Sequence, residues 1–320
     1  MRGLSPLIFA ALIAWGLPGA ISAEEKPAPS TDDDVEAISL LGQELESPKL
    51  RRKFRAKQRK LLQRAVEDLA GRPDDPEALI WVGRRTAYLG RYREAIDIYS
   101  RGIEVHPEHA ALRRHRGHRY ITVRRFDDAI ADLERATELI AGTEDEIEPD
   151  GLPNARNIPT STLHSNIWYH LGLAYYLKGD LWNAKTAYER CLEVSNNPDM
   201  VSATTHWLYM TTRRLKRHRH AKWALRTIHA DMDIIENHDY HRLLMVYKGE
   251  ADAEELLAEA RRSGGVGFAT VGYGLGNFYL VEGQEDRARE LFAEVEGGES
   301  WAAFGHLAAE AELARWRKGP

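Results

Sequence analysis

The 320-residue chain has a single cysteine, Cys191. One thiol forms no internal disulfide and cannot supply a thiolate zinc cluster. No cysteine-protease-like signature surrounds it, so it reads as a small hydrophobe, the rival reading being a nucleophile served by a distant histidine. An excess of charge of one sign is also missing. Forty-four Lys and Arg stand against 49 Asp and Glu, a formal charge of -5. That balance gives no reason to expect nucleic acid. After residue 23 no apolar run is long enough to cross a bilayer. The chain has no Gly-x-Ser-x-Gly elbow, no phosphate-binding loop and no dinucleotide fingerprint. Its glycine-rich stretch Gly264, Gly265, Gly267 lacks the lysine of a phosphate loop. No catalytic residue, no cofactor and no metal is therefore expected, and the protein reads as a non-enzyme. A composition of 43% hydrophobic and 29% charged residues excludes a collagen-like or wholly disordered chain.

The first 23 residues read as a secretory signal peptide. Arg2 opens it, Leu7 to Leu17 is a short apolar run, and Ala20 to Ala23 offers small residues for cleavage. The expectation is a periplasmic or secreted protein without stable membrane insertion after cleavage. Residues 24–47 are expected to be a flexible linker with a docking segment around Ser39 to Gly42. Its first part, 24–34, is Glu, Lys, Pro, Ser and Asp with almost nothing apolar. Arg51 to Arg64 is strongly basic, and Leu61, Leu62, Ala65 and Leu69 recur at helical spacing, which predicts one amphipathic helix.

From there the chain repeats. Leu79, Gly83, Gly90, Tyr92, Ala95 and Tyr99 form one unit, and Gly117, Tyr120, Phe126 and Ala129 the next, 34 residues on. Trp168, Leu171, Gly172, Tyr175, Gly179, Ala184 and Tyr188 form the sharpest copy; Leu275, Gly276, Tyr279, Gly283, Ala288 and Phe292 form a late one. This spacing resembles the tetratricopeptide repeat. The resemblance implies an all-α, right-handed superhelical solenoid of helix-turn-helix repeats over 48–320, about six hairpins with a C-terminal capping helix at Trp301 to Trp316. The small residues let paired helices approach, and the turn glycines supply a left-handed backbone. Between Gly172 and Gly276, 104 residues leave room for two degenerate copies, one near 202–237 and one near 240–263. An acidic, proline-rich insertion interrupts the array at 142–161.

By the resemblance, the first helix of each hairpin lines a concave groove. The face opposite the packing residues carries Trp81, Arg84 and Tyr88, then Arg114, His115 and His118, then Asn166, Tyr169 and His170. In the degenerate fourth copy it carries His206, Trp207 and Arg213. Trp, Tyr and Arg dominate binding hot spots, and Arg pairs with carboxylates. The groove is therefore expected to bind a protein or extended peptide of acidic character. The insertion 142–161 is expected either to fold over the groove as a lid or internal pseudo-ligand, or to be a solvated excursion. The rival function is an enzyme, or a small-ligand or metal-binding protein, whose His/Arg/Tyr pocket the acidic insertion closes. His115 and His118 have a metal-compatible spacing, but Arg84 and Arg114 would repel a cation. The basic runs Arg51–Arg64, Arg113–Arg125 and Arg213–Arg226 read as solvated helix faces, with anionic lipid, acidic glycan or an acidic protein patch as the alternative.

Overall fold

The computed structural model describes residues 35–318. The signal peptide and the 24–34 tether lie outside the described residues. Within them the protein is all-α except for one small hairpin. Strands β1 (Val35–Ile38) and β2 (Glu44–Glu46) pair antiparallel. Helix α1 (Arg52–Gly71) follows and leans its apolar stripe on the first hairpin. Six helical hairpins come next: α2 (Pro76–Ala87) with α3 (Tyr92–Val105), α4 (Ala110–Thr122) with α5 (Phe126–Leu139), and α6 (Leu163–Lys178) with α7 (Leu181–Val194). The second half holds α8 (Pro198–Arg214) with α9 (His218–Ala224), α10 (His238–Lys248) with α11 (Ala253–Ser263), and α12 (Gly265–Val281) with α13 (Glu285–Glu296). Helix α14 (Phe304–Lys318) is last. No helix among the described residues is long and apolar enough to cross a membrane.

The third hairpin shows how the sequence makes the unit. Thr162 caps α6, and its hydroxyl and that of Ser165 form a reciprocal capping box. Gly179 ends the helix at φ +90°, a conformation that costs glycine nothing. Asp180 then caps α7 through the Asn183 amide. Gly172 sits where α7 crosses; a Cβ there would lie 2.7 Å from the Tyr188 ring, so only glycine fits. Ala184 and Tyr188 are fully buried in the same contact. Each hairpin leaves an apolar side uncovered, and stacking closes it.

Two features depart from a plain stack. The segment expected only to dock, Ser39 to Gly42, is the turn of the β hairpin, and Ala37 and Leu45 enter the core beside Tyr92 and Trp301. The Trp301 indole donates to the Glu46 carbonyl at 2.9 Å, tying the two ends of the described chain together. Helix α14 caps the last hairpin, packing on α12 and α13, and also runs on into the concave side. Arg315 donates to the Leu177 carbonyl at the end of α6, Arg214 at the end of α8 pairs with Glu312, and Phe304 meets His118 and His170. Residues 305–312 are all buried, although a surface helix would keep one face wet. The superhelix therefore closes around its own last helix. Tyr273 of α12 reaches Tyr176 of α6, with hydroxyls 2.6 Å apart across 97 residues.

The fourth and fifth hairpins are degenerate for a visible reason. Helix α9 is short, and an extended linker replaces its second half. The buried Asp199 carboxylate fixes that linker by accepting the amides of Ile235, Glu236 and Asn237 at 2.8–2.9 Å.

Candidate functional site

The first helices α2, α4 and α6 form one wall. On α2, the Arg84 guanidinium lies 4.5 Å from the Trp81 ring centroid, and Arg85 lies over both Trp81 and Tyr88. On α4, Arg114 donates to Nδ1 of His115 at 2.9 Å, and His115 stacks on Tyr99. On α6, His170 faces His118 with ring centroids 4.3 Å apart. The Tyr169 hydroxyl accepts from the Trp207 indole at 2.8 Å and donates to Tyr240 at 3.3 Å. Arg84, Arg114, His115, Asn166, Tyr169 and His170 are all buried, while Trp81, Tyr88 and His118 are half-buried.

The acidic insertion covers the Arg114 and Asn166 end of this wall, while Phe304 of α14 packs on Tyr169 and His170. The base of the insertion is clipped to the start of α6: Ile147 bridges Thr162, the Glu148 amide donates to the Ser161 carbonyl, and the Leu163 amide donates to the Glu146 carbonyl. This aims Glu148 at the wall. Its carboxylate pairs with Arg114 at 3.0 Å, lies 3.6 Å from His115 and accepts from the Asn166 amide at 2.9 Å. Further along, Arg85 donates to the Gly151 carbonyl at 2.7 Å, and the Gly151 backbone presses on Tyr88 where no side chain would fit. The far arm crosses to the α9–α10 linker. Arg156 pairs with Asp233 at 2.7 Å, and Thr160 bonds Glu236.

Burial sets the electrostatics. It lowers the Arg114 guanidinium, and nearby Arg84 and Arg119 add to that while Glu148 opposes it. Burial and then the Arg114 charge push His115 and His170 well below the ordinary imidazole value. Burial and then Arg119 do the same for His118. These histidines are neutral at pH 7, so the wall is a guanidinium cluster set among uncharged rings. Between α4, α6, α8, α12 and the insertion a cavity of about 420 Å³ remains. Arg114, His118, Tyr169 and His170 line one side, and Glu236, Asp239 and Tyr240 the other. The Arg114 Nε is buried without a partner.

Nine of the twelve residues expected at the groove thus meet on one wall. Three do not. Trp207 is 1% exposed and stacks between Tyr188 and Tyr273, so it is core. His206 stacks on Tyr247 and Tyr240 in the same interior, where burial holds it neutral, down at about 3. Both were drawn inward because α8 is enclosed between the third, fifth and sixth hairpins and buries every side except its two ends. Arg213 lies at the end of α8 and pairs with Glu282 and Tyr209, away from the wall. Cys191 is also core: burial raises its thiol to about 12, a poor nucleophile. Among the described residues no three His, Cys, Asp or Glu side chains are placed to hold a metal ion.

The tetratricopeptide repeat family matches this chain at residues 83–141 and again at 165–198, the second, third and adjoining hairpins. The chain carries tetratricopeptide repeats. Repeats of this family generally build protein-interaction scaffolds and not catalytic sites. Among solved structures, the chain is similar to PilW, described as a widely conserved type IV pilus biogenesis factor, at 14% identity and a TM-score of 0.43, over 75% of this chain and 84% of that one. It is similar to a tetratricopeptide repeat protein from Parabacteroides merdae at 15% identity and 0.43, over 78% and 90%. It is also similar to YrrB, described as having an unusual peptide-binding site, at 12% identity and 0.42, over 80% and 98%. No curated protein matches.

Sequence reasoning missed Glu148 as the residue that meets the wall, and it missed Arg124. The latter had a signal. Gly90, Gly179 and Gly283 hold the left-handed turn of their hairpins, and the second hairpin places Arg124 there instead, at φ +65°. An arginine in that conformation is strained, which points to a side chain with work to do. It reaches Glu310 on α14 at 2.5 Å and the Trp301 carbonyl at 3.0 Å, and Leu40 of the β hairpin donates to the same carboxylate.

Proposed function

We propose that this is an exported, non-enzymatic interaction protein whose α2–α4–α6 wall grips an acidic segment of a partner protein. The observation that carries the reading is Glu148. A carboxylate on the irregular insertion, next to its one bridge to the start of α6, sits on Arg114 and Asn166, the arrangement expected of a bound acidic peptide. The insertion is then an internal occupant, and a partner binds by exchanging with it. Arg84, stacked on Trp81, supplies a second guanidinium beside the same path. Export rests on the N-terminal sequence, Arg2 followed by Leu7 to Leu17 and a small-residue site.

The test is titration of a labelled, extended Glu-rich peptide against three forms of the chain. Glu148→Gln weakens the internal occupant and is expected to raise affinity about tenfold, the effect of one charge-assisted hydrogen bond. The double change Arg84→Ala with Arg114→Ala is expected to abolish binding while helical content is retained. Equal affinity in all three forms would reject the groove.

A second reading, a small-ligand pocket, is favoured by the cavity of about 420 Å³ and the partnerless Arg114 Nε. Native mass spectrometry of the purified chain separates the two: a co-purifying small molecule supports the pocket, and a bare mass with peptide binding supports the wall.

A further inference from the structure

Apart from the wall, with which it shares no lining residue, the α8–α9 turn and α9 carry a second concentration of charge. Residues 216–226 hold five Lys and Arg and no acid, in a chain whose net charge is -5. All five cations are exposed. The one ion pair made from this stretch among the described residues is His220 with Glu189, at 2.9 Å. Lys216 holds the left-handed turn of the fourth hairpin at φ +58°, the place that glycine takes in others, and the run that follows lines a shallow hollow of about 830 Å³. Trp223 lines it, and Trp182 lies beside the run under Arg217. Trp182, at the start of α7, is 54% exposed and Trp223 is 49% exposed. The Arg217 guanidinium lies 5.0 Å from the Trp182 ring centroid, and Arg226 lies 5.2 Å from that of Trp223.

Many cations elsewhere in the protein are neutralised, those of the α1 run 51–64 being the main exception among the described residues. Arg116 and Arg113 share Asp132, Arg214 holds Glu312, and Arg261 holds Glu294. Exposed indoles beside uncompensated cations are the side-chain pair that suits a bilayer interface, with ammonium and guanidinium at phosphate depth and indole at the acyl boundary. A nucleic acid would need free ring faces for base stacking. Here a guanidinium already covers one face of each ring.

We propose that this surface is a peripheral docking site for a membrane rich in anionic phospholipid. The five cations meet headgroup phosphates, and Trp182 and Trp223 insert at the interface. The site is independent of the concave wall, so each can fail without the other.

The experiment is co-sedimentation of the full chain with vesicles of phosphatidylglycerol and phosphatidylcholine in equal parts, and with phosphatidylcholine alone. Binding to the anionic vesicles alone, weakened by salt, is expected. Arg219→Gln with Lys222→Gln should lower affinity about 25-fold, roughly fivefold per cation removed. Trp182→Ser with Trp223→Ser should lower it about tenfold with the charge intact. All four side chains are exposed, so circular dichroism should not change. Three outcomes overturn the proposal. One is equal binding to neutral vesicles or to none. Another is binding that survives both double changes, which would place it on another segment such as Leu7 to Leu17. The third is loss with the cations but not the tryptophans, together with equal binding to a single-stranded oligonucleotide, which marks a general polyanion site.

Discussion

Two of the buried Arg–Glu contacts among the described residues have the same chemistry and opposite character. Arg114–Glu148 ties a loop to the concave wall, with about a tenth of each side chain still exposed. Arg124–Glu310 ties the second hairpin to α14, with 3% and 1% exposed. Glu148 stands on a segment without regular structure, held at its base by a two-strand clip. Glu310 stands on a helix buried on all sides and also accepts from Leu40 of the β hairpin. The first can exchange with water or a partner by moving a loop. The second cannot open without withdrawing a helix from the core. The position of the carboxylate in the fold, and not the pair itself, decides whether it is open to displacement or locked in place.

Three measurements sharpen that contrast. The largest effect is expected at the sealed pair. Arg124→Met strands the Glu310 carboxylate and should lower unfolding free energy by about 3–5 kcal/mol in chemical denaturation. Adding Glu310→Leu removes the stranded charge and should recover a large part of that loss. A single change costing less than about 1 kcal/mol would show that α14 does not depend on the pair.

The next effect is pH. His206 has its folded value depressed to about 3 from an ordinary 6.5. The unfolded chain therefore takes the proton first. Its contribution is whole above about pH 7 and is lost as pH falls from 6.5 toward 3, by about 2 kcal/mol at pH 5. His115, His118 and His170 are depressed in the same direction and add to the trend. The denaturation midpoint should thus fall between pH 7.5 and pH 5, and His206→Phe should flatten that slope. A midpoint independent of pH would contradict the neutral, buried placement of these rings.

The smallest effect on stability is expected at the loop pair. Glu148→Gln keeps the Asn166 hydrogen bond and loses one partly exposed charge, so unfolding free energy should drop by no more than about 1 kcal/mol. Amide exchange over 142–161 should nonetheless quicken while that of α4 and α6 stays as it was. Faster exchange in α4 would mean that the insertion is structural and not an occupant.

Much of this was readable before any coordinates. Gly172 against Tyr188 and the Gly179 turn follow from a 34-residue spacing, because a hairpin's close contact needs small residues at set intervals and those intervals are local. The wall from Trp81 to His170 follows from helical periodicity once the hairpins are placed. His206, Trp207 and Arg213 were misassigned by the same periodicity. A face that is concave in three hairpins becomes interior when the superhelix closes and α12 and α14 cover it.

The sequence by itself determined the unit, its repetition and the chemistry of the wall, since each depends on residues fewer than about 35 positions apart. Only the tertiary structure decided what fills the hollow. Glu148, Glu310 and Glu312 are three glutamates among many, and nothing in their neighbours marks them. Glu310 and Glu312 acquire partners because the curvature of the stack brings α14 back over helices far away in the chain, and Glu148 acquires its own because the 142–161 insertion folds back along the wall. Curvature accumulates from small rotations at every interface, and so is a property of the whole array.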